Sequence, residues 1–257
     1  MYRFLLRPRW IAFHLLVLLA IVAMVNLGFW QWSRLQERKD FNSEVRERSA
    51  QPIAEIGTLV GLSTVPADVE WRAVRVVGEY LADEQVIIVN RSQNGAAGSD
   101  VVTPLTLEDG SLLLVDRGFV PLDEPVPAPP TGVVIVEGRL RTSQQRTLGQ
   151  LSDPTDRDLP QFQRIDIDRI AQQLPRSVAP VYLDLRTSKP DQGTPPYPVP
   201  DPELTEGPHL SYMFQWFIFS AFAAVGWVFA VRHSAAKRRK AANAAAVSEP
   251  IPAEPSA

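Results

Sequence analysis

The 257-residue sequence contains no cysteine and only three histidines, His14, His209 and His233. Without cysteine there is no disulfide, no thiolate nucleophile and no thiolate metal site. That absence fits an oxidising compartment as easily as a reducing one. None of the histidines lies between residues 33 and 208. That stretch therefore has no Ser-His-Asp set, no Cys-His pair and no histidine-based zinc site. Lysine is almost missing there too, with Lys39 and Lys189 at its edges, so a Ser-Lys arrangement has no good context. No Walker loop or dinucleotide fingerprint occurs. Carboxylates are plentiful, and most read as solvated surface groups. An excess of positive charge is also lacking: 26 basic against 29 acidic residues give a net charge of -3. Nucleic acid, which needs a basic face, is not an implied partner. An enzyme working through residues 33–208 is disfavoured.

What the chain does have is two long apolar runs. The first, "WIAFHLLVLLAIVAMVNLGFW", spans residues 10–30 and carries no formal charge apart from one available on His14. A helix of that length covers about 30 Å of hydrocarbon. Trp10 at one end and Trp30 and Trp32 at the other suit the two membrane interfaces. The run is too long for the core of a cleaved signal peptide, and no small-residue cut site follows it. The second run, "LSYMFQWFIFSAFAAVGWVFAV", spans residues 210–231, and Ser220 and Ala224 on it suit close helix approach. Arg3, Arg7 and Arg9 precede the first run. Arg232, Lys237, Arg238, Arg239 and Lys240 follow the second, whose other flank carries Asp191, Asp201, Glu203 and Glu206. This asymmetry predicts both termini in the cytoplasm. Arg34, Arg38 and Lys39 run against it, at a place where a long translocated domain weakens the rule.

Residues 33–50 carry no proline or glycine and are predicted to prolong the first helix. Short apolar runs follow, bounded by turn signals: 71–80, 85–90, 100–107, 111–118, 132–141, 162–168 and 181–186 read as strands. "EDG" at 108–110 reads as a hairpin turn. "DIDRIAQQL" reads as a short helix starting near Asp166 or Asp168. The predicted fold is a membrane protein with two transmembrane α-helices flanking a mainly antiparallel β (α+β) extracytoplasmic domain. Its segments are a cytoplasmic N-terminus (1–9), a first span (10–31), a β-rich domain (32–187), a Pro-rich extended linker (188–208), a second span (209–231) and a cytoplasmic tail (232–257). The tail, rich in Ala, Pro and charge, reads as disordered from 235 onward.

Two stretches carry candidate functional residues. Arg91 and Arg117 each close a predicted strand and are followed by glycine within a few residues. They read either as solvated turn residues or as a pair of guanidinium groups converging at one rim of the sheet to grip carboxylates. His209 sits at the head of the second span, after Gly207 and Pro208, which fit a helix start. There the positive end of the helix dipole favours neutral imidazole, the form that ligates iron. His209, Met213, Trp216, Ser220, Ala223 and Trp227 share one helical stripe. An interfacial histidine with aromatic neighbours is equally a membrane anchor. His14, inside the first span, reads as facing another helix.

The chain resembles the Surfeit locus protein 1 family in three stretches that occur in the family's order. "LGFWQWSRLQERK" (27–39) matches its Leu-Gly-x-Trp-Gln-x-x-Arg-x-x-x-Lys pattern through Arg34, with Arg38 at the place of the final lysine and Lys39 beside it. "VVGEYLADEQVIIVNR" (76–91), "GAAGSDVVTPL" (95–105) and "LLLVDRGFVP" (112–121) match its strand motifs. "GPHLSYMFQWFIFSAF" (207–222) matches its histidine-tyrosine-tryptophan signature. The likeness covers about residues 10–232. Phe119 stands where tryptophan is common, and Asp116 where asparagine is common. The resemblance implies a non-enzymatic assembly factor for haem-copper cytochrome c oxidase, which aids insertion of haem a into the core catalytic subunit. It also implies His209 as the candidate axial ligand of haem iron, with Tyr212, Met213 and Trp216 beside it and Arg34 or Arg117 toward the propionates. Haem a synthase and membrane lipid are further implied partners. The alternative it leaves is a non-haem scaffold that stabilises an oxidase assembly intermediate.

Overall fold

The structure is a computed structural model that describes residues 3–60 and 68–247. The chain divides into two compact units, one of residues Met1–Asn42 with Leu204–Ala257 and the other of Ser43–Glu203. The helices are α1 (Pro8–Ser49), α2 (Ile167–Ala171) and α3 (His209–Val247). The strands are β1 (Ala54–Glu55), β2 (Ala73–Tyr80), β3 (Val86–Gln93), β4 (Ala96–Thr106), β5 (Leu112–Pro121), β6 (Val133–Thr142), β7 (Gln161–Phe162) and β8 (Val178–Lys189).

In the first unit, α1 and α3 are both long and apolar enough to cross a membrane. Pro8 opens α1, where its missing N–H costs nothing. The two helices run antiparallel: Gln31 meets His209, Gly28 meets Phe217, and His14 meets Trp227. A Cβ at Gly28 would lie 2.8 Å from the Phe217 ring, so glycine lets that ring seat against α1. As predicted, α1 continues through the charged residues 33–49. The tail departs from expectation, because α3 continues to Val247. Residues 235–247, "AAKRRKAANAAAV", are nearly all strong helix formers, and propensity outweighs their polarity. The rest of the predicted disordered tail, 248–257, lies outside the described residues, as do the first two residues of the predicted N-terminal segment.

In the second unit the strands form one mixed, mainly antiparallel sheet in the order β1-β2-β6-β8-β5-β4-β3-β7. A further pairing of β2 with β4, through Glu79–Thr106 and Tyr80–Leu105, closes β2, β6, β8, β5 and β4 into a ring. Leu113, Val115, Leu183, Leu185, Val74, Val136 and Leu140 form one core cluster. The alternate residues of β5 and β8, Leu114 and Tyr182, join a second with Ile88, Phe162, Ile165 and Ile170 beneath α2. The pair β5–β8 is parallel, a connection long enough to hold β6, β7 and α2. Asp166 caps α2 by accepting from the Arg169 N–H at 3.2 Å. Of the predicted strand 162–168 only Phe162, in β7, is strand, because its second half turns into that cap and α2.

Both hairpins are set by local chemistry. Gly110, with φ +82, closes the predicted turn between β4 and β5, and Asp109 accepts from the Ser111 N–H and hydroxyl. Between β3 and β4, Asn94 and Gly95 take φ 51 and 82, the two left-handed residues of a type I′ turn. The Pro-rich segment is not a free linker. Tyr197 exchanges hydrogen bonds with Phe119 at 2.7 and 2.8 Å, extending the sheet at β5. This close approach requires Gly118, whose φ is +121 and whose added Cβ would lie 2.2 Å from the Tyr197 carbonyl oxygen.

Candidate functional site

His209 begins α3 directly after Gly207 and Pro208. Its side chain is half-buried, and its Nδ1 lies 2.8 Å from Oε1 of Gln31 on α1. An amide oxygen only accepts, so Nδ1–H donates and the proton is held on that nitrogen. In the neutral ring the lone pair then sits on Nε2, the arrangement in which a metal-ligating histidine is oriented by a partner on its other nitrogen. A Cβ at position 207 would stand 3.4 Å from both Nε2 and Cδ2. Glycine there keeps that edge of the ring open, and nothing among the described residues hydrogen-bonds to Nε2. These features fit a haem iron ligand.

The surroundings at this end are aromatic and basic. The Arg34 guanidinium lies 5.6 Å over the Trp30 ring and pairs with Glu37 at 2.6 Å. Lys39 meets Glu206 at 3.7 Å. Tyr212 is exposed, and half-buried Trp216 sets its ring edge-on to Phe219 at 6.2 Å. Met213, by contrast, is only 8% exposed. The stripe predicted from His209 to Trp227 thus faces α1 and is not a bare surface. What remains reachable is the Nε2 edge of His209, with Tyr212 and part of Trp216.

His14 also faces the other helix. Its Nδ1 accepts from the Trp227 indole N–H at 2.8 Å. The proton of a neutral His14 is then on Nε2, so neither nitrogen presents a free lone pair.

Arg91 and Arg117 do not converge. Arg117 has no exposed surface. Its guanidinium donates to Gln192 and Gln85 side-chain oxygens and to the Pro127 and Ala128 carbonyls, at 3.0–3.2 Å. It is a strut tying four segments of its own unit, and burial lowers its basicity. The same burial pushes the nearby Tyr80 hydroxyl up to about 12. Arg91 lies with the residues on the opposite face of β5. It pairs with Asp100 at 2.9 Å and donates to Gln144.

That opposite face holds a cluster not anticipated from the sequence. Asp116 and Asp184 are register partners across β5 and β8, both buried. Arg141 bridges Asp184 and Glu70, each at 3.1 Å, and stacks 3.9 Å from the Trp71 ring centre. Among the described residues Asp116 accepts one hydrogen bond, from the Gly118 N–H at 3.0 Å. Burial first, then the charges of Asp100 and Asp184, hold the Asp116 carboxyl well above the usual carboxylate range. Burial likewise raises Asp184 and pushes Asp100 up to about 6, with Arg141 and Arg91 respectively opposing. The signal was present as charged residues inside apolar strands, "LLLVDRG" and "VYLDLR". Among the described residues no group of three or more metal-ligating side chains is arranged to hold an ion.

Comparison with known proteins accounts for the three matching stretches together. The SURF1 family pattern matches residues 18–221. A SURF1-like protein of Mycobacterium tuberculosis is 32% identical over 260 residues, covering 98% of this chain and 94% of its own length. A SURF1-like protein of Monosiga brevicollis is 28% identical over 254 residues, covering 90% of this chain and 89% of its own. One from Rickettsia bellii is 28% identical over 107 residues, 41% of this chain and 42% of its own. The chain belongs to the SURF1 family, whose members are cytochrome c oxidase assembly factors.

Proposed function

We propose that this protein binds haem a at His209 and presents it to the core catalytic subunit of a haem-copper cytochrome c oxidase, without catalysing a reaction. In this reading α1 and α3 cross the plasma membrane, both termini are cytoplasmic, and the β-rich unit is extracytoplasmic. The observation that carries the reading is the His209–Gln31 bond. In the neutral ring it fixes the proton on Nδ1 and leaves the Nε2 lone pair free, on an edge left open by Gly207. Haem would supply the iron and the apolar macrocycle. The protein's contribution is to fix one tautomer, offer Tyr212 and Trp216 as flat surface, and hold Arg34 near the interface for a propionate. Arg117 has no part in it, since its donors are spent inside its own unit. A haem a synthase is the natural donor in such a transfer.

A second reading has its own support. Met213 is covered and the stripe meets α1 at both ends, through His209–Gln31 and Trp227–His14, so the histidine motif also works as a helix–helix clasp. The protein would then be a scaffold that stabilises an oxidase assembly intermediate without holding haem. The optical spectrum of protein purified in detergent from cells that make haem a separates the two. Haem a retained by the wild type and lost in His209→Ala supports the carrier. A colourless wild type in the presence of ample haem a overturns it in favour of the scaffold.

A further inference from the structure

We propose that the basic end of the helix pair is a binding site for anionic phospholipid headgroups. Arg7 and Arg9 at the start of α1 are exposed, as are Arg232, Lys237, Arg238, Arg239 and Lys240 on α3. No aspartate or glutamate occurs in residues 1–36 or 207–247, and among the described residues none of these seven cations has a carboxylate within ion-pair distance. Several arginines of the β-rich unit, by contrast, are paired within it. Arg75, Arg91, Arg139, Arg141, Arg164 and Arg186 each meet an acidic side chain. The cations at the helix ends thus have no acidic partner among the described residues.

One of them is held in place. The Arg238 guanidinium lies 4.6 Å over the Phe4 ring. Phe4 is only 5% exposed and sets its ring edge-on to Trp10 at 5.2 Å. Stacking on a fixed ring orients the guanidinium while its N–H edge stays exposed, and that edge matches a phosphate in bidentate fashion. The position identifies the partner. Arg9 directly precedes the apolar run of α1, and Arg232 directly follows that of α3. Residues 237–240 lie only about 8–12 Å farther along the axis, about one Debye length at physiological ionic strength. Bilayer phosphates are the dense, fixed anions at that level. A chain with net charge -3 has no general attraction for polyanions, which disfavours RNA.

This site rests on α1 and α3 crossing a bilayer, but not on haem binding. The test uses the full chain reconstituted in vesicles of phosphatidylcholine and phosphatidylglycerol. Resistance to alkaline extraction is checked first, and release of the protein would refute the two-span reading on which the site depends. Spin-labelled phosphatidylglycerol and phosphatidylcholine are then compared for motional restriction by the protein. The wild type is expected to favour the anionic lipid about fivefold, the ratio one cation per headgroup supplies. Replacing Lys237, Arg238, Arg239 and Lys240 by glutamine should bring the ratio near one. Phe4→Leu, which keeps every charge, should give an intermediate value. Equal restriction of both lipids by the wild type overturns the proposal, as does an unchanged ratio in the quadruple variant. So does displacement of the anionic lipid by inorganic phosphate at constant ionic strength, or tighter binding of an RNA oligonucleotide.

Discussion

Replacing Asp116 by asparagine should stabilise the protein, and more so as pH rises. Asp116 is 3% exposed and lies among Asp100, Asp184, Arg91 and Arg141. Arg91 serves Asp100, and Arg141 serves Asp184 together with Glu70. Among the described residues no cation is left to pair with Asp116, and burial with two neighbouring carboxyls favours its protonated form in the folded chain. A carboxyl raised on folding contributes stability that is fully present below the unfolded value, near 3.9, and is lost as pH rises toward the folded value. One proton held only by the folded state changes stability by about 1.4 kcal/mol per pH unit. Asparagine is isosteric, keeps an oxygen to accept from the Gly118 N–H, and needs no proton.

The expected gain is close to zero at pH 4 and roughly 2 kcal/mol at pH 6. That figure is about two-thirds of the full linkage value, because Asp100 and Asp184 share the proton. A gain of that size raises the melting temperature by about 4–8 °C for a protein of this length. The assay is thermal unfolding of the full chain in detergent, followed by near-UV circular dichroism at both pH values. A shift of equal size at both pH values would refute the linkage. A lower melting temperature at pH 6 would show that Asp116 is ionised and paired in a way the geometry does not contain. The same reasoning explains why asparagine is compatible with the family's pattern at this position.

Other substitutions probe different contacts. Gly118→Ala should cost more than about 2 kcal/mol, since φ +121 and a Cβ 2.2 Å from the Tyr197 carbonyl both oppose it; chemical denaturation measures the loss. Arg141→Met removes the cation between Glu70 and Asp184 and should destabilise by about 3–5 kcal/mol at pH 7, with recovery on acidification when unfolding is repeated near pH 4. Gln31→Leu removes the acceptor at His209 Nδ1 and should weaken haem retention by about 10–100-fold, read by haem titration, while leaving the melting temperature of the β-rich unit unchanged.

The parts of this fold that depend on neighbouring residues could be read from the sequence. The apolar runs gave both spans, and the glycine of "EDG" gave the β4–β5 turn. Asn94-Gly95 carries an equally strong turn signal. The sheet's closure could not be read in this way. It rests on Glu79–Thr106 and Tyr80–Leu105, pairs about as ordinary in composition as any others in β2 and β4. Arg117 shows the same limit for side chains. Its place at a strand end suggested an open rim, yet its acceptors come from residues 85, 127, 128 and 192. A pattern along one segment has no access to partners contributed by three others. The Pro-rich segment 188–208 departs from the expected free linker for a related reason. Proline density predicts stiffness, but says nothing of whether a stiff segment lies against a sheet edge.

The helix pair joins the legible and illegible parts at two of its three histidines, His14 and His209. Each bonds across to the other helix, His209 to Gln31 and His14 to Trp227. Along α3 these contacts are 18 residues apart, about 27 Å, close to the roughly 30 Å of a bilayer's hydrocarbon core. In this reading the bonds therefore fall at its two boundaries, where a polar side chain is least costly. A slide of α3 by one turn would move it by about 5.4 Å and break both, so the contact at His14 helps to set the register of the one at His209. The two rings end in opposite tautomers. Gln31 accepts, which leaves His209 Nε2 free, whereas Trp227 donates, which spends the His14 lone pair. The same residue type thus serves as a lock at one end and as an open ligand position at the other, and the difference lies in whether its partner accepts or donates a proton.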